Sequence, residues 1–288
     1  MAASAGSGGA PAADVIRALQ SYINKILRPK DPSKAVPGLR ALLLDRETKT
    51  AVSMAYSMHD ILSRDVYLVE DLATAANLSN MNHLAAIVLV RPTAENIKSI
   101  IVHLKKPCFR EYHIFFTNIV TQDMLRSIAD ADHQLVVKQV QEFYVDFYAI
   151  NPDLFSLNLG GSLSLSRPRS TYTQRETAAF MRTTQGLLAA LLALKVKPYV
   201  RYHAASEGAA ALAREITGTM SGERDLFTFQ RGAAAPPLLL VLDRRDDPLT
   251  PLLTQWTYQA MVHELMPGGI KANTVDLSKV HGISDDLK

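Results

Sequence analysis

The sequence predicts an α/β protein whose N-terminal part is a layered parallel sheet. Short apolar segments with no polar face alternate along the chain with segments of 10–15 residues at helical spacing. Strands that are apolar on both faces are typical of parallel sheets covered by helices on both sides. The alternation resumes after a Gly- and Ser-rich stretch around Gly160 and Gly161, which predicts a second, partial α/β unit.

The elements of the first unit follow from periodicity and capping residues. Asp14 precedes an amphipathic segment, and Thr93 and Thr121 stand where helix N-caps are expected. Apolar runs without alternation predict the strands. The predicted order is helix 15–27, strand 39–45, helix 48–62, strands 65–70 and 83–90, helix 94–106, strand 111–117, helix 122–132, and one or two strands within 136–150.

The second unit has fewer elements. Thr173 and Glu176 form a capping box at the start of a long helical segment. The predicted order is helix 175–195, strand 197–203, helix 206–220 and an apolar strand at 238–242. A helical pattern follows from Leu249, and the last residues show no closing element, so we expect the sequence to end within a structure.

These elements predict four regions. Residues 1–13 are small and polar and are expected to be a disordered tail. The predicted boundaries place a first α/β domain at 14–132, part of a second α/β domain at 133–248, and the start of a helical third domain at 249–288.

Composition excludes several classes of protein. The 288 residues carry a formal net charge of +3, which argues against a dedicated nucleic-acid binder. The single cysteine, Cys108, excludes a disulfide framework and a cysteine-built metal site within the chain. The longest apolar run, residues 187–194, is too short to span a bilayer. We therefore expect a cytoplasmic protein.

Motifs for cofactor chemistry are missing from the sequence. There is no P-loop, no dinucleotide-binding glycine pattern and no nucleophile elbow. The eight histidines are not spaced as ligands on one helix. We expect no catalytic residue, no metal and no cofactor.

The strand 238–242 runs into a cluster of acids, and two interpretations of it remain open. Asp243, Asp246 and Asp247 could hold a metal in a phosphohydrolase site, since acids often follow the strands of α/β enzymes. Alternatively they cap backbone N–H groups at a joint between a strand and a helical region. The adjacent Arg244 and Arg245 favour the joint, because they neutralise the charge that a cation needs.

The segment DRRDDPLTPLLTQWTYQAMVHEL resembles the signature of the SM (Sec/Munc) family of syntaxin-binding proteins, most closely its vacuolar protein sorting branch. The matching residues are Asp243, Arg244, Asp247, Thr250 and Pro251, with Leu252 and Tyr258. ALLLDRETKTAVSMAYSMHDIL, IVLVRPTAENI and VDLSKVHGISDDLK are similar to the family as well. The family is longer than this chain.

The resemblance implies an incomplete arch-shaped fold and a binding function without catalysis. It implies that the protein binds a syntaxin-type SNARE of the trans-Golgi network or endosome and its SNARE complex. Such a protein regulates vesicle docking and membrane fusion in Golgi, endosomal and vacuolar transport, and associates with those membranes peripherally through SNAREs only.

The resemblance also implies two sets of contact residues. Val120, Leu125, Val137 and Glu142 match the pocket for the syntaxin N-terminal peptide. Asp45, Arg46 and Thr50 match the family's cavity for syntaxin helices. Each set has a structural alternative: Leu125 and Val137 as core residues, and Asp45 as a helix cap.

Overall fold

The structure is a computed structural model that describes residues 14–28, 36, 38–75, 80–159, 168–229, 236–266, 269–271, 274–280, 282 and 284. The predicted tail at 1–13 lies outside the described residues, as does most of the Gly- and Ser-rich stretch. The fold is mixed α/β with a parallel central sheet, as predicted.

Five parallel strands form the central sheet. Their order across the sheet is β2-β1-β3-β4-β5, so β2 and β5 are its edges. The strands are β1 (Arg40–Leu44), β2 (Val66–Asp71), β3 (Met81–Val90), β4 (Phe109–Phe116) and β5 (Val137–Glu142).

Helices precede and connect these strands and cover both faces of the sheet. They are α1 (Val15–Leu27), α2 (Arg46–Ala55), α3 (Met58–Leu62), α4 (Leu72–Ala75), α5 (Ala94–Lys105) and α6 (Gln122–Ala131). The predicted caps are confirmed: the side chains of Asp14, Thr93 and Thr121 accept hydrogen bonds from the first-turn backbone of α1, α5 and α6.

Successive residues of β1 enter two separate hydrophobic clusters. Leu42 and Leu44 pack with α1 and α2, whereas Ala41 and Leu43 pack on the side of α5 and α6. All five β1 residues are buried. This is the two-sided burial that a strand without a polar face predicts.

The second unit contributes side chains to the hydrophobic cluster that contains α1 and α2. It contains the hairpin β6 (Tyr148–Asn151) and β7 (Leu154–Ser156), the helices α7 (Gln174–Ala193) and α8 (Glu207–Gly222), and the parallel pair β8 (Tyr199–Tyr202) and β9 (Leu238–Val241). Leu188, Leu191 and Ile216 pack in the same cluster as α1, so one core joins the two units. The Thr173–Glu176 capping box is confirmed.

The C-terminal part is less regular than predicted. Two 3₁₀ turns, Arg244–Asp246 and Thr250–Leu252, precede α9 (Tyr258–Leu265). A short antiparallel pair follows, β10 (Ile270–Lys271) and β11 (Thr274–Val275). Trp256 is 90% exposed.

Two predictions need correction. The helix predicted at 48–62 is two helices, α2 and α3, because Tyr56 is extended and Ser57 starts a new helix with its own capping box. Strand β5 pairs with β4, so it belongs to the first sheet although the predicted boundary at 132 placed it in the second domain. The other predicted domain boundaries stay predictions.

Candidate partner-binding surfaces

Asp45 fixes the corner between β1 and α2. Its Oδ1 accepts a hydrogen bond from the Thr48 N–H at 2.7 Å, and its Oδ2 accepts from the Arg91 N–H at 2.8 Å. The Asn96 side-chain amide donates to the same Oδ2 at 2.6 Å. Both carboxylate oxygens are therefore engaged within the protein, and the helix-cap interpretation of Asp45 is correct.

A buried ion network lies beside this corner. Asp146, whose side chain is 2% exposed, accepts contacts at 3.0 Å from both Arg91 Nε and Arg182 Nη2. Glu47 pairs with Arg91 at 3.2 Å and with Arg182 at 3.6 Å. Burial lowers the pKa of Arg182, and Asp146 opposes that shift by favouring the charged guanidinium. The network ties the first sheet to α7.

The network forms part of the wall of a cleft of about 730 Å³. Arg46 and Thr50, which the sequence placed at a cavity, both line this cleft. The Thr50 hydroxyl donates to the Arg46 carbonyl at 3.1 Å, and Arg46 is exposed. Asp45 does not line the cleft; it lies behind the cleft and holds the helix that carries the other two.

Several residues of this cleft were missed by the sequence reasoning. Arg91, Tyr148 and Arg182 line it together with Arg46 and Thr50. Arg91 stands directly after a predicted strand, a position that often carries functional side chains in α/β folds. No local pattern marks Arg182, because its partners lie far from it in the sequence.

A second candidate surface lies at the sheet edge formed by β5 and the neighbouring α6. The Val120 N–H donates to Glu142 Oε1 at 2.7 Å, and the Tyr144 hydroxyl donates to Glu142 Oε2 at 3.1 Å. Leu125 is 38% exposed on α6, so it is not a core residue. Val137 is half-buried and packs against the second hydrophobic cluster, so its core interpretation is correct in part.

Two further apolar side chains near this edge are exposed, one just before α6 and one on β5. Ile119 is 44% exposed and Val140 on β5 is 38% exposed. Val120 and Glu142 are in direct contact in the structure. Leu125, five residues after Val120 in the sequence, is exposed to solvent. Exposed apolar side chains on these elements, together with a fixed carboxylate, suit a short peptide that has an apolar anchor and a basic residue.

The acids at 243–247 each have a protein partner. Asp243 accepts hydrogen bonds from the Ser206 hydroxyl at 2.7 Å and from Arg245 Nη2 at 3.2 Å. Asp246 contacts His203 Nδ1 at 2.6 Å. Asp247 pairs with Arg244 at 2.9 Å. These bonds fasten a strand-to-helix joint.

This geometry gives the phosphohydrolase alternative no support. Hydrogen bonds from Arg245, followed by the one from Ser206, hold the pKa of Asp243 well below its usual range. A metal site would require the arginines to turn away from the acids. Instead, Arg244 pairs with Asp247 and Arg245 pairs with Asp243. The described part of the chain contains no group of three or more His, Cys, Asp or Glu side chains that could hold a metal ion.

The fold is that of a Sec1-family protein. The sequence pattern of the Sec1 family matches residues 40–288, and the chain belongs to this family. It is 46% identical over 275 residues to vacuolar protein sorting-associated protein 45 of Dictyostelium discoideum, covering 96% of this chain and 46% of that protein. The human protein of the same name is also 46% identical over 275 residues, covering 96% of this chain and 45% of its own length.

A solved structure agrees with these relatives. The SM protein Vps45 in complex with the Qa SNARE Tlg2 superposes with a TM-score of 0.86 and 39% identity, over 95% of this chain and 46% of that one. The chain thus spans about half the length of the relatives that it matches. Among the described residues, no helix has the length and hydropathy needed to cross a bilayer.

Proposed function

We propose that the protein binds a syntaxin-type SNARE and its SNARE complex, and that it is not an enzyme. The observation that supports this most strongly is the match at a TM-score of 0.86 to an SM protein solved together with a Qa SNARE. In the cell, binding of this kind would regulate vesicle docking and membrane fusion in trans-Golgi, endosomal and vacuolar transport. The protein would be cytoplasmic and reach those membranes through SNAREs only.

The surface at α6 and β5 is proposed to bind the N-terminal peptide of the SNARE. Leu125 would contact an apolar anchor, and burying one such side chain contributes roughly 1.5–3 kcal/mol. Glu142 is held by the Val120 N–H and the Tyr144 hydroxyl, so the position of its carboxylate is fixed. A basic residue of the peptide would pair with it.

The cleft is proposed to contact the SNARE helices. Arg46 and Thr50 lie on the first turns of α2, where Asp45 fixes the helix start. The buried network of Asp146 with Arg91 and Arg182 holds the opposite wall in place. Because both walls are held in place before binding, less conformational entropy is lost when a helix binds between them.

The test is a titration of the chain with an N-terminal peptide of a trans-Golgi Qa SNARE, followed by calorimetry. Leu125→Arg is expected to abolish binding, because it places a charge at the apolar anchor site. Leu62→Arg is the matched control, since Leu62 is 47% exposed on another helix and lies outside the proposed pocket. Unchanged affinity of the Leu125→Arg variant would remove the pocket assignment, and equal losses in both variants would indicate a general effect on folding.

A further inference from the structure

A second cavity, of about 320 Å³, lies between the two α/β units. Its apolar walls include Tyr144 after β5, Phe180, Leu188 and Leu192 on α7, and Phe227 after α8. All five side chains are buried. The volume falls in the range of small-molecule sites, which often occur where two units meet.

Two buried polar side chains of the wall, those of Asn118 and Thr184, already have partners inside the protein. The Asn118 amide donates to Asp146 Oδ2 at 3.1 Å and to the Gln185 carbonyl at 3.2 Å. The hydroxyl of Thr184 donates to the carbonyl of Phe180 at 3.2 Å. Water in the cavity would therefore find few groups to bind, and displacing it with an apolar group is favourable by roughly 25 cal/mol per Å² of surface removed from water.

The mouth of the cavity carries acidic charge. Glu215 is paired with Arg169 at 3.4 Å, and Arg169 lies 4.5 Å from the centre of the Phe180 ring. Glu223 also lines the cavity and is exposed, and it has no ion pair within the described part of the chain. Burial, with smaller contributions that include the Glu223 charge, raises the pKa of Tyr144 well above its usual value.

We propose that this cavity binds small amphiphiles that have an aliphatic chain and a cationic head. The chain would occupy the apolar space between α7 and α8, and the ammonium group would lie at the Glu223 carboxylate. The cavity shares only Met181 and Gln185 with the cleft proposed for SNARE helices. Ile119 and Tyr144 also belong to the sheet edge proposed for the peptide, so the cavity adjoins that surface, but amphiphile binding goes beyond the proposed function.

Three probes with the same chain and different heads test the proposal: octylamine, octanol and octanoate, each below its solubility limit and, for the charged probes, below the micelle concentration. Binding to the full 288-residue chain is measured by calorimetry and by the rise in melting temperature, since a ligand of the native state stabilises it. Octylamine is expected to bind about two- to fivefold more tightly than octanol, as one exposed ion pair allows. Octanoate is expected to bind most weakly.

Two variants locate the site. Glu223→Gln removes only the charge at the mouth of the cavity. It should lower the affinity for octylamine to that for octanol and leave the affinity for octanol unchanged. Thr184→Leu fills the cavity and should abolish binding of all three probes. Thr183→Leu is its matched control: Thr183 makes the same hydroxyl bond to the carbonyl four residues earlier, at 2.9 Å, but does not line the cavity.

Any one of three results would overturn the proposal. The first is that none of the three probes binds. The second is that Thr183→Leu and Thr184→Leu weaken binding equally, and the third is that octanoate binds as tightly as octylamine. If Thr184→Leu does not fold, the exposed Glu223→Gln variant still decides the question.

Discussion

Two corners of the molecule have nearly the same sequence and different structures. In both, an apolar run ends in Leu-Asp-Arg: β1 leads into Asp45 and Arg46, and β9 leads into Asp243 and Arg244. Every residue of β1 is buried, whereas only Val241 is buried in β9. Asp45 begins a ten-residue α-helix, and Asp243 begins a three-residue 3₁₀ turn.

The difference comes from the neighbours of each strand. β1 lies between β2 and β3 in a five-stranded sheet, while β9 has β8 as its only partner among the described strands. Burial requires layers on both faces, and a two-stranded pair cannot provide them. The same local sequence therefore specifies a strand followed by a capping acid in both places. The neighbouring strands and helices determine how much of each strand is buried.

Alanine substitutions in the two strands should show the largest contrast. Leu43→Ala, at a position that is 0% exposed, is expected to lower the free energy of unfolding by about 2–5 kcal/mol, because it leaves a cavity in the core. Leu240→Ala, at 54% exposure, should change it by no more than about 0.5 kcal/mol. Urea unfolding followed by circular dichroism measures both. Similar losses at the two positions would show that β9 is buried in solution.

The capping acids should give a smaller contrast. Asp45→Ala removes a helix cap and leaves the Arg91 N–H and the Asn96 amide without their acceptor, so we expect a loss of about 2 kcal/mol in global stability. Asp243→Ala should cost less than about 1 kcal/mol globally and instead speed amide exchange at 244–252, because a region with few buried contacts opens locally. Urea unfolding measures the loss of global stability, and hydrogen exchange measures the local opening. If the amides at 244–252 of the Asp243→Ala variant were as protected as in the parent chain, the prediction of local opening would be wrong.

Local signals in the sequence predicted the first sheet and most of its helices well. Residues that cap a helix, such as Thr93 and Thr121, act within one turn and can be recognised without tertiary information. The break between α2 and α3 also had a local signal that was overlooked. Ser57 and Asp60 form a capping box after Tyr56, whose backbone is extended and whose hydroxyl donates to the Gln20 carbonyl at 3.1 Å.

The candidate surfaces were only partly predictable, because they depend on distant parts of the chain. Family resemblance assigns Arg46 and Thr50 to a cavity for syntaxin helices, which stays a prediction. Both residues line the cleft, but its opposite wall, which includes Arg182, comes from a helix more than a hundred residues later. The joint of Asp243 with Ser206 likewise joins two elements across 37 residues. Periodicity indicates that α6 has an apolar face, but it does not say that Leu125 lies outside the core.

The smallest expected effect is a shifted titration in the exposed joint. Hydrogen bonds from Thr250, followed by the contact with Arg244, lower the pKa of Asp247 to about 2. A lowered pKa in the folded state means that these contacts stabilise the joint above the usual aspartate value of about 3.9 and are lost as the pH falls through about 2. Since the Thr250 N–H donates to Asp247 at 3.1 Å, its amide resonance in NMR reports the protonation directly. The resonance should stay in place from pH 6 to pH 3, and Asp247→Asn, which cannot titrate, supplies the baseline. A midpoint near 3.9 in the parent chain would mean that the joint at Asp247 is open in solution, and the contrast with the firmly held Asp45 would then be larger than the structure indicates.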